Sequence, residues 1–277
     1  LPDDFEEVVE ISEPVMKWTD LGIKPVWKVY VSQPFMVPKL RKDLSGRWTV
    51  LSGDIPFVNR FFLDGDLSMH VSVDGEVGQT EHPVDVCLEL TMDDVSHCEP
   101  FPAPFKIFSF DLETSIAHDT ILCAAVVTED MGSGERTHHT FAEDEETILK
   151  KLTELVRSTD PDIITGYNID NFDMGRIVDR ANLVSKRDKS KKISTMGWGR
   201  VSTTEEGRRR DTLFPTRGSS RAWNVGGRCV MDAWWQARQA LRPQRETLKF
   251  VSNLLFPDDE DMQKMDVDAS KMDEEWA

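Results

Sequence analysis

Between Phe105 and Phe256, short strand-like runs alternate with amphipathic helical stretches, a pattern that points to an α/β fold rather than a bundle or a β-sandwich. "FKIFSFDLET" (105–114), "TILCAAVVTED" (120–130) and "THHTFA" (137–142) read as strands. "DEETILKKLTELVRSTD" (144–160) sets Ile148, Leu152 and Leu155 at helical spacing behind an acidic first turn, as an amphipathic helix requires. "PDIITGYN" (161–168) reads as a buried strand and "NFDMGRIVDRANL" (171–183) as a helix. "GGRCVMDAWWQARQAL" (226–241) predicts a strand followed by a helix, and "RETLKFVSNLLF" (245–256) a further helix. The sum is an α/β domain built on a mixed sheet.

The first third of the chain is different. "VWKVYVS" (26–32) has strand character, and "MVPKLRKDL" (36–44) begins a short helix with Pro38 near its first turn. "WTVLSGDIPFVNRFFLD" (48–64) reads as a strand, a turn and a short helix with Phe57, Phe61 and Phe62 facing inward. Residues 65–104 are rich in Gly, Pro and Asp, with alternating pieces such as "VDVCLEL" (84–90), and end in the Pro-rich "CEPFPAPF" (98–105). A boundary is therefore expected near Pro104, dividing a smaller, mainly β domain (1–104) from the α/β domain (105–277).

The formal net charge is −17, which by itself disfavours a polyanionic partner. Residues 181–249 reverse the sign, with 16 Lys and Arg against 6 acids. Either a polyanion contact or a solvated loop such as "KRDKSKK" (186–192) accounts for this. The four Cys form no CxxC pair and read as reduced thiols of a cytoplasmic protein. No run is long and apolar enough for a membrane span, and the acidic start is unlike a signal peptide. The absence of an initiating Met leads to the expectation that this is a piece of a longer chain.

In a strand, residues i and i+2 share a face, so Asp111 and Glu113 project together from the end of the 105–114 strand. Two adjacent carboxylates repel, and a divalent cation such as Mg²⁺ or Mn²⁺ resolves that repulsion with hard oxygen ligands. Alone, D-x-E also describes an exposed strand end with solvated acids. A second stretch, "DIITGYNIDNFDMGRIVDR" (162–180), ends a buried strand at Gly166 and enters a helix near Asn171. Phe172 is expected to anchor that turn in the core. Asp173 then falls in the first helical turn, facing back toward the strand ends. Each residue also has a local explanation, Asp173 as a helix cap and Asn168 as a turn residue.

"FDLET" followed by "TGYNIDNFD" resembles the first two exonuclease motifs of family B DNA polymerases in their archaeal form, D-x-E on a strand and then N-x-x-x-F-D. "KPVWKVYVSQPFMVPKLRKDL" (24–44) and "DIPFVNRFFLD" (54–64) are similar to the amino-terminal domain of those polymerases, and "GGRCVMDAWW" (226–235) and "RPQRETLKFVSNLLF" (242–256) to the segments after the second motif. The resemblance implies a ribonuclease-H-like 3′–5′ proofreading exonuclease acting in DNA replication. It makes Asp111, Glu113 and Asp173 the catalytic, metal-binding acids of a site for two Mg²⁺ or Mn²⁺ ions, with Asp111 shared between both. Asn168 and Phe172 would shape the pocket for a frayed single strand of primer-template DNA. The longer protein would add nucleotides, with room for a sliding clamp bound through a region outside these residues.

One motif departs from the pattern. The family's third exonuclease motif, Y-x-x-x-D, supplies a fourth acid, but of the two Tyr here, Tyr30 is followed by Pro34 and Tyr167 by Asn171. The final "MDEEWA" resembles the family segment just before that motif, so the chain is expected to stop short of its last catalytic acid and to be weakly active or inactive alone. "QPFMVPKLR" (33–41) resembles part of the pocket with which archaeal members read uracil in the template. Pro34, Val37 and Arg41 are its candidates, set against ordinary packing for the first two and a surface contact for the third. The competing functional class is a nucleic-acid-binding module that reads template or uracil and whose nuclease site is silent.

Overall fold

The computed structural model describes residues 5, 8–80, 84–187, 198–200, 203–205, 208–210, 215–219, 222–259 and 262. They divide into two compact units, Leu1–Gly78 with Cys87–Phe101, and Gln79–Val86 with Pro102–Ala277.

The first unit contains two-stranded antiparallel ribbons and two short helices. Val8–Ile11 pairs with Val29–Val31, Val15–Thr19 with Gly22–Val26, Val71–Val73 with Val95–His97, and Glu76–Val77 with Leu88–Glu89. The helices span Met36–Leu44 and Phe57–Asp64. The expected strand after Trp48 reduces to an isolated bridge between Ser45 and Trp48. Phe57 does not face inward as expected but is 60% exposed, while Phe61 and Phe62 are half-buried in an edge contact at 5.8 Å. A two-turn helix that fully buries none of its residues cannot shield an aromatic at its first position.

The second unit is built on a five-stranded mixed sheet. We label its strands β1 (Lys106–Thr114), β2 (Ile121–Asp130), β3 (Glu135–Phe141), β4 (Ile163–Gly166) and β5 (Cys229–Asp232). Their order is β3-β2-β1-β4-β5, antiparallel across β3, β2 and β1 and parallel across β1, β4 and β5. The crossover from β3 to β4 is helix α1 (Glu145–Thr159), and β4 leads into α2 (Asp173–Arg187). After β5 come α3 (Ala233–Leu241) and α4 (Leu248–Leu255). The helix read over 171–183 thus starts two residues later and runs on to Arg187, so the start of the "KRDKSKK" stretch is helical and 188–192 lie outside the described residues.

Local chemistry explains the elements. Asp144 caps α1 by accepting the Thr147 N–H at 3.1 Å, and Glu145 and Glu146 occupy its first turn. On β1 the alternation is clean: Phe108, Phe110 and Leu112 are buried, while Ser109, Asp111 and Glu113 lie on the other face. The buried face packs on Ile148, Leu149, Leu152 and Val156 of α1 and on Met174 and Ile177 of α2. Trp198 completes this core, its indole donating to Thr153 Oγ1 at 3.1 Å.

Two further hairpins, Thr203–Glu205 with Arg208–Arg210 and Thr216–Ser219 with Ala222–Asn224, were not legible as strands because they are short and polar. The second is held by Trp223, buried in the same core.

Candidate active site

The site follows from a difference in strand length. β4 pairs with β1 only from Ile163–Ile107 to Thr165–Ser109, and ends at Gly166 while β1 runs on to Thr114. Beyond that point the Leu112 N–H has no strand to bond on the β4 side. Asp173, the first residue of α2, takes the place of the strand: its Oδ1 accepts the Leu112 N–H at 3.1 Å. Leu112 lies between Asp111 and Glu113, so the three carboxylates expected from sequence are brought to one end of β1.

Their environments differ. Asp111 is exposed and Glu113 half-buried, whereas Asp173 is only 2% exposed. Burial pushes the Asp173 carboxyl up to about 7, the charge of Asp111 adding to the effect and the Leu112 N–H opposing it. Cys123, opposite Glu113 on β2, has its thiol raised by burial and by the charges of Glu113 and Asp111, which leaves it a poor nucleophile.

The turn that delivers Asp173 is fixed from β5. Asp232, the last residue of that strand and 3% exposed, accepts the Asn168 N–H at 2.7 Å and the Trp234 N–H at 2.9 Å on Oδ1, and the Asp170 N–H at 3.0 Å on Oδ2. One carboxylate therefore orders the turn before α2 and caps α3. Asn168 adopts a left-handed φ of 66°, and its carbonyl accepts the N–H groups of Asn171 and Phe172, both at 3.2 Å. Its side chain accepts from Asn171 Nδ2 at 2.7 Å. The Trp223 indole donates to the Asp170 carbonyl at 2.9 Å. Gly166 is required by space: a Cβ there would lie 2.4 Å from the Phe110 carbonyl oxygen and 2.5 Å from Ile169 Cγ2.

Phe172 does not anchor the turn in the core. It is 39% exposed, and fully buried Ile169 fills that role, because the left-handed Asn168 directs the following residue under the sheet end. The exposed Phe172 ring carries the Arg176 guanidinium at 5.4 Å.

Among the described residues, no group of three or more His, Cys, Asp or Glu is placed to hold a metal ion. The donor set is nonetheless suited to a hard cation. Mg²⁺ takes one or two carboxylates and completes its shell with water and substrate phosphates, and an acid held near neutrality by burial beside another acid is relieved by a positive charge. Asp111, Glu113 and Asp173 offer oxygen donors of the type such an ion takes, without being grouped as a three-ligand site.

Two cations of the basic segment, Arg200 and Arg228, serve structure at the opposite end of the parallel strands. Arg200 pairs with Asp160 and Asp162, each at 2.8 Å, and Arg228, with its side chain 3% exposed, pairs with Asp160 at 2.8 Å and donates to the Trp198 and Pro161 carbonyls. In the first unit, Pro34 and Arg41 are exposed and Val37 half-buried, with Val37 and Arg41 one turn apart on the Met36–Leu44 helix. Sequence reading passed over Asp119 and Arg176. For Arg176 a signal existed, a cation three residues after Asp173 on the same helical face.

Residues 129–251 match the family model for the exonuclease domain of family B DNA polymerases. The chain is similar to a DNA polymerase of Archaeoglobus fulgidus, 33% identical over 161 residues that cover 55% of this chain and 20% of that protein. It is also similar to DNA polymerase 1 of Pyrococcus abyssi, 29% identical over 201 residues covering 69% and 24% respectively. The structure superposes on that of the family B DNA polymerase from the hyperthermophilic archaeon Pyrobaculum calidifontis with a TM-score of 0.70 at 21% identity, covering 97% of this chain and 34% of the other. The chain thus spans about a fifth to a quarter of the length of these archaeal relatives. The fold of the second unit is the ribonuclease-H-like fold of that exonuclease domain.

Proposed function

We propose that the chain, whose residues 129–251 match the exonuclease-domain model of family B DNA polymerases, acts as a 3′–5′ proofreading nuclease on single-stranded and frayed primer-template DNA. The observation that carries this reading is the bond from the Leu112 N–H to Asp173, which sets a third acid beside the D-x-E pair. Asp111, Glu113 and Asp173 are the ligands in this reading, for two Mg²⁺ or Mn²⁺ ions. Such ions, when bound, supply charge that activates water and stabilises the leaving 3′ oxygen.

The remaining roles fall to this chain's own groups. Asp173 holds a proton below about pH 7 and gives it up as positive charge arrives. Asn168 fixes the turn through its left-handed backbone, and Phe172 offers an exposed ring on which an unpaired base can stack without a sequence code. A domain boundary near Pro104 and a uracil-contacting role for Pro34, Val37 and Arg41 belong to the same reading of the first unit.

A silent nuclease that only binds DNA is the second reading. It is favoured by the open arrangement of the acids and by the lack of a Y-x-x-x-D motif in these 277 residues. The two are separated by incubating the chain with Mn²⁺ and a 5′-labelled oligonucleotide bearing a mismatched 3′ end. Slow stepwise shortening from the 3′ end, abolished in Asp111→Ala, is expected. Binding without cleavage establishes the silent reading, and cleavage that persists in Asp111→Ala removes these acids from the chemistry.

A further inference from the structure

Helix α2 lays one polar stripe along the β1–β2 hairpin. Asp173 accepts the Leu112 N–H, Arg176 pairs with Asp119 in the loop between the two strands, and Arg180 grips Glu145 with two bonds of 2.6 and 2.7 Å. Glu145 in turn accepts the Ile121 N–H at the start of β2, at 2.9 Å. The Arg180–Glu145 contact is largely buried and serves structure, and the buried Asp173 contact belongs to the candidate site already described. The middle pair is open to water, with side-chain exposures of 25% for Arg176 and 66% for Asp119. An ion pair this exposed contributes little to stability, yet it is built with care. Asp119 adopts a left-handed φ of 56°, and the Arg176 guanidinium is stacked at 5.4 Å over the exposed Phe172 ring.

These facts place a preoriented cation three residues from Asp173, held by a carboxylate that gains little from holding it. A guanidinium fork bonds phosphate oxygens with the same geometry as carboxylate oxygens. A chain of net charge −17 with three acids at its site repels a phosphodiester, and a cation at the mouth of the site offsets that repulsion. We infer that Arg176 is a phosphate-binding residue of the candidate site, and that Asp119 occupies its guanidinium until a phosphodiester of the DNA strand displaces it. The inference rests on the nuclease reading and goes beyond it, since neither residue lies in the D-x-E or N-x-x-x-F-D pattern.

The test is binding of a short fluorescein-labelled oligothymidylate to the 277-residue chain, followed by anisotropy in Ca²⁺ across a salt series. Arg176→Gln is expected to weaken binding roughly tenfold and to lower the slope of log affinity against log salt by about 0.7, the loss of one single-strand phosphate contact. Arg176→Lys should retain most of that slope. Asp119→Asn should tighten binding several-fold, because it removes the competitor. Opposite signs for the two neutral variants are what a purely structural clamp cannot produce. If both weaken binding alike, or neither changes it, the inference fails while the nuclease reading stands. If the unmodified chain does not bind the oligonucleotide, the nuclease reading fails and takes this one with it.

Discussion

The Leu112 N–H donates to Asp173 Oδ1 at 3.1 Å across 61 residues of sequence. That bond brings two motifs that are separate in the chain to one end of β1. It also explains why the third acid is buried: to reach the β1 backbone, Asp173 must sit beneath the strand end.

The protonation of Asp173 should be visible in stability. Its folded-state value of about 7 lies above the roughly 3.9 of an unfolded chain. Between those values the folded protein holds a proton that the unfolded one has released, so stability falls as pH rises from about 4 to about 7 and is level above. Asp173→Asn removes this titration. Urea midpoints of the variant should exceed the wild type near pH 8 and converge with it near pH 4. Parallel pH profiles for the two proteins would refute the assignment.

Divalent-ion binding should carry the same signature. The proton on Asp173 must leave before the carboxylate can serve as a ligand, so Mn²⁺ affinity of the wild type rises with pH to about 7 and then flattens. Calorimetric titration in buffers of different ionisation enthalpy should detect the released proton below that pH, and Asp173→Asn should show none.

Asp232 accepts three backbone N–H groups with one buried carboxylate. Asp232→Ala leaves all three without their partner, at about 1–3 kcal/mol for each that water cannot reach. Asp232→Asn keeps an acceptor oxygen and should lose about 1–2 kcal/mol by the same reckoning. Urea unfolding of both variants, read with Mn²⁺ affinity, checks the claim. An alanine variant as stable as the wild type contradicts it.

Gly166→Ala forces a methyl group against the Phe110 carbonyl, which is backbone and cannot rotate away. The end of β4 must move from β1, at a cost of about 1–3 kcal/mol. The turn carrying Asp173 moves with it, so Mn²⁺ affinity should drop alongside the urea midpoint. A change in stability with metal binding untouched would separate Gly166 from the site.

Phe172→Ala should behave in the opposite way. The ring is too exposed to support the core, so unfolding should shift by under about 1 kcal/mol. Oligonucleotide binding should weaken by about 1–3 kcal/mol if a base stacks on the ring. Equal stability with equal binding would leave Phe172 as a support for Arg176 alone.

Two aromatic residues show where sequence patterning misleads. Phe57, from the pattern of its helix, and Phe172, as the anchor of its turn, are both expected inside, and both face water. A large residue at the start of a two-turn helix, or at the end of a turn, is placed by the direction of the chain and not by its own hydrophobicity. Ile169, with no such signal, took the buried position because Asn168 has the backbone conformation that points it there.

The sheet strands and helices of the second unit are legible, unlike its two short hairpins, because their signals are local. Period two in Lys106–Thr114, helical period in Glu145–Thr159 and the D-x-E and N-x-x-x-F-D spacings all lie within a few turns of chain. The Leu112–Asp173 bond, the acceptance by Asp232 of the Asn168 and Asp170 N–H groups, and the Arg176–Asp119 pair join residues 57 to 64 positions apart. Those contacts depend on β4 ending before β1 does and on the register between them. That offset is a property of the paired strands, set by Gly166 packing on Phe110, and no single stretch of sequence contains it.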